Sequence, residues 1–137
     1  MASRGRALLA RQAAGFAGVG AIGFAIDAGL FLALTTWCAL AIVPARVLAF
    51  IPATMATWAI NRAAVFQSPR GHHGDPAREY AKYLLVQGLG VGINFSVFYL
   101  AWKALPAIPA LLPLALGSLA AMVFNFTGSR WIVFRSR

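Results

Sequence analysis

The segment Gly20-Ala21-Ile22-Gly23-Phe24-Ala25-Ile26-Asp27 returns as Gln87-Gly88-Leu89-Gly90-Val91-Gly92-Ile93-Asn94, and Asn61-Arg62-Ala63-Ala64-Val65-Phe66 returns as Ser129-Arg130-Trp131-Ile132-Val133-Phe134. The first pair lies 67 residues apart and the second 68, so one inserted residue reconciles two half-chains. Each half is then one structural unit. Because each half also carries two long apolar segments, the chain reads as a tandem repeat of two helical hairpins. Repeat one covers about 12–66, a loop covers about 67–82, and repeat two covers about 83–135.

Hydrophobic residues make up 61% of the 137-residue chain, against the ~45–50% usual for soluble domains. The mean hydropathy is +0.75. This composition belongs in a bilayer and specifies an all-α integral membrane protein. Twelve Lys and Arg stand against Asp27, Asp75 and Glu79, a formal net charge of +9. The basic residues form no continuous patch, and neither an aromatic-interleaved loop nor a zinc spacing accompanies them, so nucleic acid is not the expected partner. Anionic membrane lipid fits better. Cys38 is alone and forms no intrachain disulfide.

A helix needs about twenty apolar residues to cross the hydrocarbon core. Four segments qualify as transmembrane helices, at about 16–37, 44–60, 84–105 and 108–128. Pro52 removes a backbone donor inside the second, where a kink or local opening is expected. Pro106, Pro109 and Pro113 crowd the last turn-around and make the final two spans an antiparallel hairpin. Basic loops stay on the cytoplasmic side. Arg4, Arg6, Arg11, Arg62, Arg70, Arg78, Lys82, Arg130, Arg135 and Arg137 fall on one side of this arrangement, and only Arg46 and Lys103 on the other. Both termini and the central loop are therefore expected to be cytoplasmic.

The first apolar run is too long for a signal peptide, contains Asp27 and is duplicated in mid-chain. In the central loop, Ser68-Pro69, Gly71, Gly74 and Asp75-Pro76 read as turns. Pro76 is placed to open a short amphipathic helix on the headgroups.

Several motifs fail on context. Gly18, Gly20 and Gly23 spell a dinucleotide fingerprint, but they lie inside an apolar span with no strand before them. Close helix packing explains them better, with Ala17, Ala21 and Ala25 and the pair Gly88 and Gly92 as small faces at four-residue spacing. The sequons at Asn94 and Asn125 lie within the bilayer. His72-His73 lacks the further ligands of a metal site. No nucleophile, base and orienting group converge, so neither an enzyme nor a cofactor is expected.

The groups left over recur in both halves. Asp27 lies near the middle of the first span, where an ionisable side chain is costly unless it faces protein or water. Asn94 takes the same place in the third span and is a candidate interhelical hydrogen-bond partner. Asn61-Arg62 and Asn125 with Ser129-Arg130 close the second and fourth spans. A guanidinium fork beside an amide suits phosphate and sugar oxygens, although snorkelling to headgroups also accounts for an Arg at a helix end. Arg46 opens the second span on the opposite side, where it is placed to meet a phosphate at the outer leaflet.

The pattern resembles the GtrA-like family of small four-span bacterial membrane proteins over roughly 12–135. The resemblance rests on the Gly-rich first span ending in Ile26-Asp27, on Ala45-Arg46 with Ala49-Phe50, and on the Asn61-Arg62-x-x-Val65-Phe66 closure. Asn94, Asn125-Phe126 and Arg130-Trp131-x-Val133-Phe134 carry it in the second half. Thr57, Ala64 and Ser129 depart from the residues usual there.

The resemblance implies translocation of a polyprenyl-phosphate-linked sugar across the bacterial inner membrane for cell-surface polysaccharide assembly. Arg62 and Arg130 would take the phosphate inside, Asp27 and Asn94 would line the midplane, and Arg46 would assist release. Four spans make a thin wall, so a homo-oligomer, a dimer, is expected. Two rivals have other chemistry: an anchor for a polyprenyl-phosphate glycosyltransferase, and a proton-coupled exporter of small hydrophobic cations. The strong charge bias speaks against the second. On this topology, fluorescent-protein fusions at either terminus fluoresce, and in a Cys38→Ser background a membrane-impermeant thiol reagent added outside cells labels a cysteine placed beside Lys103 but not one placed beside Arg78.

Overall fold

The computed structural model describes residues 2–67, 75–105, 107 and 111–135. Arg70, His72-His73, Pro106 and Pro109 lie outside the described residues, as do the side chains of Arg4 and Arg46. Four long helices form, α1 (Ala2–Thr36), α2 (Ile42–Ile60), α3 (Pro76–Ala104) and α4 (Leu111–Gly128). The α2 helix runs directly into a π-helical turn, Asn61–Val65, and α4 into another, Ser129–Val133. The chain divides into two compact units, Met1–Gly71 and His72–Arg137. Each is a helical hairpin.

Two helices begin earlier than the apolar pattern suggests. The α1 helix starts at Ala2, and its 35 residues span about 52 Å at ~1.5 Å per residue, well beyond the ~30 Å hydrocarbon core. The excess takes in the stretch that carries the N-terminal arginines. The α3 helix starts at Pro76 and continues without interruption to Ala104, so no separate headgroup helix precedes the third apolar segment. Asp75 and Pro76 form a helix start rather than a turn. The Ala77 N–H donates to Asp75 Oδ1 at 3.0 Å, and Pro76 occupies the first-turn position where its missing donor costs nothing. At Pro52 the α2 helix remains continuous.

The end of α1 depends on one unusual backbone position. Leu40 N–H donates to Leu34 O at 3.1 Å, and Ala39 adopts a φ of 51°, in the left-handed region that glycine normally fills.

Polarity is inside out. Phe24, Phe95 and Leu100 are well exposed on helix surfaces, whereas Thr54, Thr57, Asn61, Glu79 and Ser129 are buried. Water would penalise that distribution, and lipid accommodates it. By length and apolarity α1 and α3 are each able to cross a membrane, over Gly5–Thr36 and Pro76–Ala104.

Each hairpin is zipped by small residues. The buried ridge of α2 is Ala45, Ala49, Ala53, Thr57 and Asn61, and that of α4 is Pro113, Gly117, Ala121 and Ser129 with the half-buried Asn125 among them. Both ridges recur every four residues, the spacing that lets backbones approach in lipid. A methyl group on Gly23 would collide with the Thr57 Cγ2, and one on Gly90 with the Asn125 amide. On Gly128 it would meet Val86 Cγ1 at 2.8 Å.

The small faces expected at Gly88 and Gly92 are not the ones that pack within the second hairpin. A Cβ on either meets nothing within 4 Å, and Ala17, Ala21 and Ala25 are exposed. A ring contact closes each hairpin, Phe16 on Phe66 with centroids 6.1 Å apart and Tyr83 on Phe134 at 6.2 Å.

Gly23→Ala and Gly90→Ala should each cost about 1–3 kcal/mol through overpacking, whereas Gly88→Ala and Gly92→Ala should be neutral or stabilising. Thermal unfolding midpoints in detergent measure the contrast, and equal losses at all four positions would contradict it.

Candidate functional site

In α1 the inward face is Gln12, Phe16, Val19, Gly23 and Asp27, and in α3 it is Glu79, Tyr83, Val86, Gly90 and Asn94. Steps of three and four residues keep each set on one stripe of its helix. The two sets match position for position at 67 residues, and the ridges of α2 and α4 match at 68. Gly23 lies level with Thr57, and Gly90 with Asn125. Asp27 and Asn94 therefore sit one turn to one side of the close approach, and Asn61 and Ser129 one turn to the other. Along the axis these two levels are about 12 Å apart at ~1.5 Å per residue. The closing turns and the Asp27 and Asn94 level are thus separate depths within each hairpin.

In the first hairpin, Asn61 is 1% exposed and opens the π turn. Its carbonyl accepts from Phe66 N–H at 2.8 Å. This wide turn is one residue longer than an α turn and carries Arg62 beside the ridge, half-buried, with its guanidinium carbon 5.5 Å from the Trp58 ring centroid. Asn61 and Arg62 are brought together. Arg46 lies in the first turns of α2, at the end of the helix opposite to them.

The second hairpin repeats the frame with different polar groups. Ser129 is fully buried and opens its π turn, and its carbonyl accepts from Phe134 N–H at 2.8 Å. Asn125 packs on Gly90 one turn before it. Arg130 points elsewhere, over Trp131 at 5.3 Å. Asn125 and Arg130 therefore share an end of the hairpin without sharing a face. Asn94 Nδ2 donates to Ser118 Oγ at 3.4 Å across its own hairpin, the interhelical use of a membrane amide.

Three buried polar atoms here have no hydrogen-bond partner among the described residues: Gln12 Oε1, Asn125 Oδ1 and Ser129 Oγ. Buried polar groups are nearly always satisfied, so such atoms mark places that serve something besides packing. Ser129 stands out among the hydroxyls. Thr35, Thr36, Thr54, Thr57 and Thr127 all donate back to carbonyls of their own helices.

Sequence reasoning left out Gln12, Glu79 and the ridge itself. The 67-residue offset, applied outward from Gly23 and Gly90, leads to the first two. The four-residue spacing of small residues leads to the ridge.

Two like hairpins with apolar outer surfaces, small-residue ridges and buried polar groups define a helical membrane protein, with its polar chemistry kept between helices. The chain matches the GtrA/DPMS transmembrane domain over residues 15–134 and belongs to that family. The family is associated with the flipping of lipid-linked sugars, and its members are typically non-catalytic. No curated protein gives a significant match.

Ser129→Ala should raise stability, since it removes a desolvated hydroxyl whose unsatisfied burial costs about 1–3 kcal/mol. The same variant should lose function. A higher unfolding midpoint together with unchanged function would assign Ser129 to packing alone.

Proposed function

We propose that the protein moves a polyprenyl-phosphate-linked sugar across the bacterial inner membrane, with four membrane-spanning helices and both termini in the cytoplasm. The observation that carries this reading is the row of polar groups on the packed faces of otherwise apolar hairpins. Among them Gln12 Oε1, Asn125 Oδ1 and Ser129 Oγ have no hydrogen-bond partner within the described residues; lipid penalises such a group by several kcal/mol, and a polar cargo supplies the compensation. The phosphate is received at the cytoplasmic end by Arg62 beside Asn61 and by Arg130 near Asn125. Asp27 and Asn94, about 12 Å further along each hairpin, line the route at the midplane. Arg46 meets the phosphate at the far side. The prenyl tail stays in the bilayer while the head moves.

A single hairpin pair makes a thin wall, and the working unit is a homo-oligomer, most simply a dimer. The basic excess over three acids favours an anionic cargo over a cationic one.

Leaflet exchange of a short-chain polyprenyl-phosphate sugar in proteoliposomes tests the proposal. Wild type should accelerate exchange over protein-free vesicles, with Asp27→Asn and Arg62→Ala/Arg130→Ala lowering the rate at least about tenfold, or about 1.4 kcal/mol of barrier. Absence of exchange by correctly folded protein, over several lipid heads, would favour an anchoring role beside a glycosyltransferase.

A further inference from the structure

An open apolar groove of about 670 Å³ runs along the second hairpin, lined by Val97 of α3 and by Leu116, Ala120, Val123, Phe124 and Thr127 of α4. The α4 members follow the three- and four-residue steps of one helix stripe. Ala120 leaves the floor low between larger neighbours. Thr127 is the sole lining residue among these with a polar side chain, and its hydroxyl is committed to Val123 O at 2.7 Å. The groove itself thus offers an occupant only apolar contact.

Its two ends differ. Three residues beyond Thr127, on the same stripe, stands Arg130. The guanidinium is half-buried and held over the exposed ring of Trp131 at 5.3 Å. That contact leaves the edge donors of the fork available. A groove that is apolar along its length and cationic at one end is complementary to one apolar chain bearing one anionic head.

We infer that this groove is the seat of the tail of a single-chain isoprenoid phosphate, with its phosphate on Arg130. The inference rests on the transport reading for its choice of lipid and adds where that lipid lies. It also separates the two arginines, giving Arg130 the resting lipid. A two-chain phospholipid has one chain too many for a single strip, and a neutral prenol lacks the group that Arg130 selects.

The test uses the full chain in nanodiscs with a diazirine-bearing short-chain polyprenyl phosphate, the matching prenol, and a phosphatidylglycerol carrying the same photo-reactive group. The phosphate probe should label the groove face of α4 between Leu116 and Thr127. Ala120→Trp, which fills the floor, should weaken its binding about tenfold, while Met122→Trp, the same bulk on an exposed position, should not. Arg130→Gln should weaken the phosphate probe and leave the prenol unchanged, with Arg130→Lys retaining part of the affinity. Labelling spread over all lipid-facing positions, equal labelling by phosphatidylglycerol, or indifference to Ala120→Trp in a folded protein would overturn the inference. Leaflet exchange measured in parallel keeps the two ideas apart: binding in the groove without exchange contradicts transport, and exchange undiminished in Ala120→Trp contradicts the groove.

Discussion

Everything in each hairpin depends on how closely two helices approach at one glycine. In lipid, apolar side chains gain little by leaving their surroundings, so helices associate through van der Waals contact and hydrogen bonds that require near-touching backbones. Gly23 admits Thr57, and Gly90 admits Asn125. Once that level is set, the four-residue ridges of α2 and α4 fix which residues face inward at every other level. They carry Asn61 and Ser129 into the interior of each hairpin.

The same closeness gives the polar groups their energetic weight. A hydroxyl or amide at such a seam is screened from water and from lipid headgroups alike, so a missing partner is felt in full. The π turns extend the seam by one wide turn. They place an arginine just outside the packed face at each closure, where stacking on a tryptophan restrains it. Packing and chemistry thus occupy one stripe of each helix and alternate along it.

The repeat from Gly20–Asp27 to Gln87–Asn94 was legible because glycines and polar residues are rare in apolar spans, and each recurrence carries weight. Helix starts were less legible. Hydropathy locates what lies in the bilayer, and α1 and α3 both continue beyond it as regular helix, with Asp75 capping the latter. Gly88 and Gly92 satisfied a spacing rule without meeting a partner, because the rule identifies small faces but not which one a neighbour covers. Gln12 and Glu79 escaped attention as ordinary residues near a membrane boundary. Their position one turn from Phe16 and Tyr83, rings packed against Phe66 and Phe134, sets them on the inward stripe. Ser129 read as a weakened copy of Asn61, although burial without a back-bond makes it the more unusual of the two.

The strict ridge spacing also governs how such a sequence drifts. Lipid asks only that a side chain be apolar, so an exposed position exchanges freely among large hydrophobic residues, while a ridge position accepts little beyond what fits. The two halves of this chain already behave as diverged relatives of one another. Facing lipid, Ile22 has become Leu89, Phe24 has become Val91 and Met55 has become Val123, whereas the ridge has changed only among short side chains, Ala45 to Pro113, Ala49 to Gly117, Thr57 to Asn125 and Asn61 to Ser129, and Gly23 with Gly90, Ala53 with Ala121 and the Val65-Phe66 and Val133-Phe134 closures persist. Ancestry in a protein of this kind is written in a thin strip along each helix, and overall identity understates it.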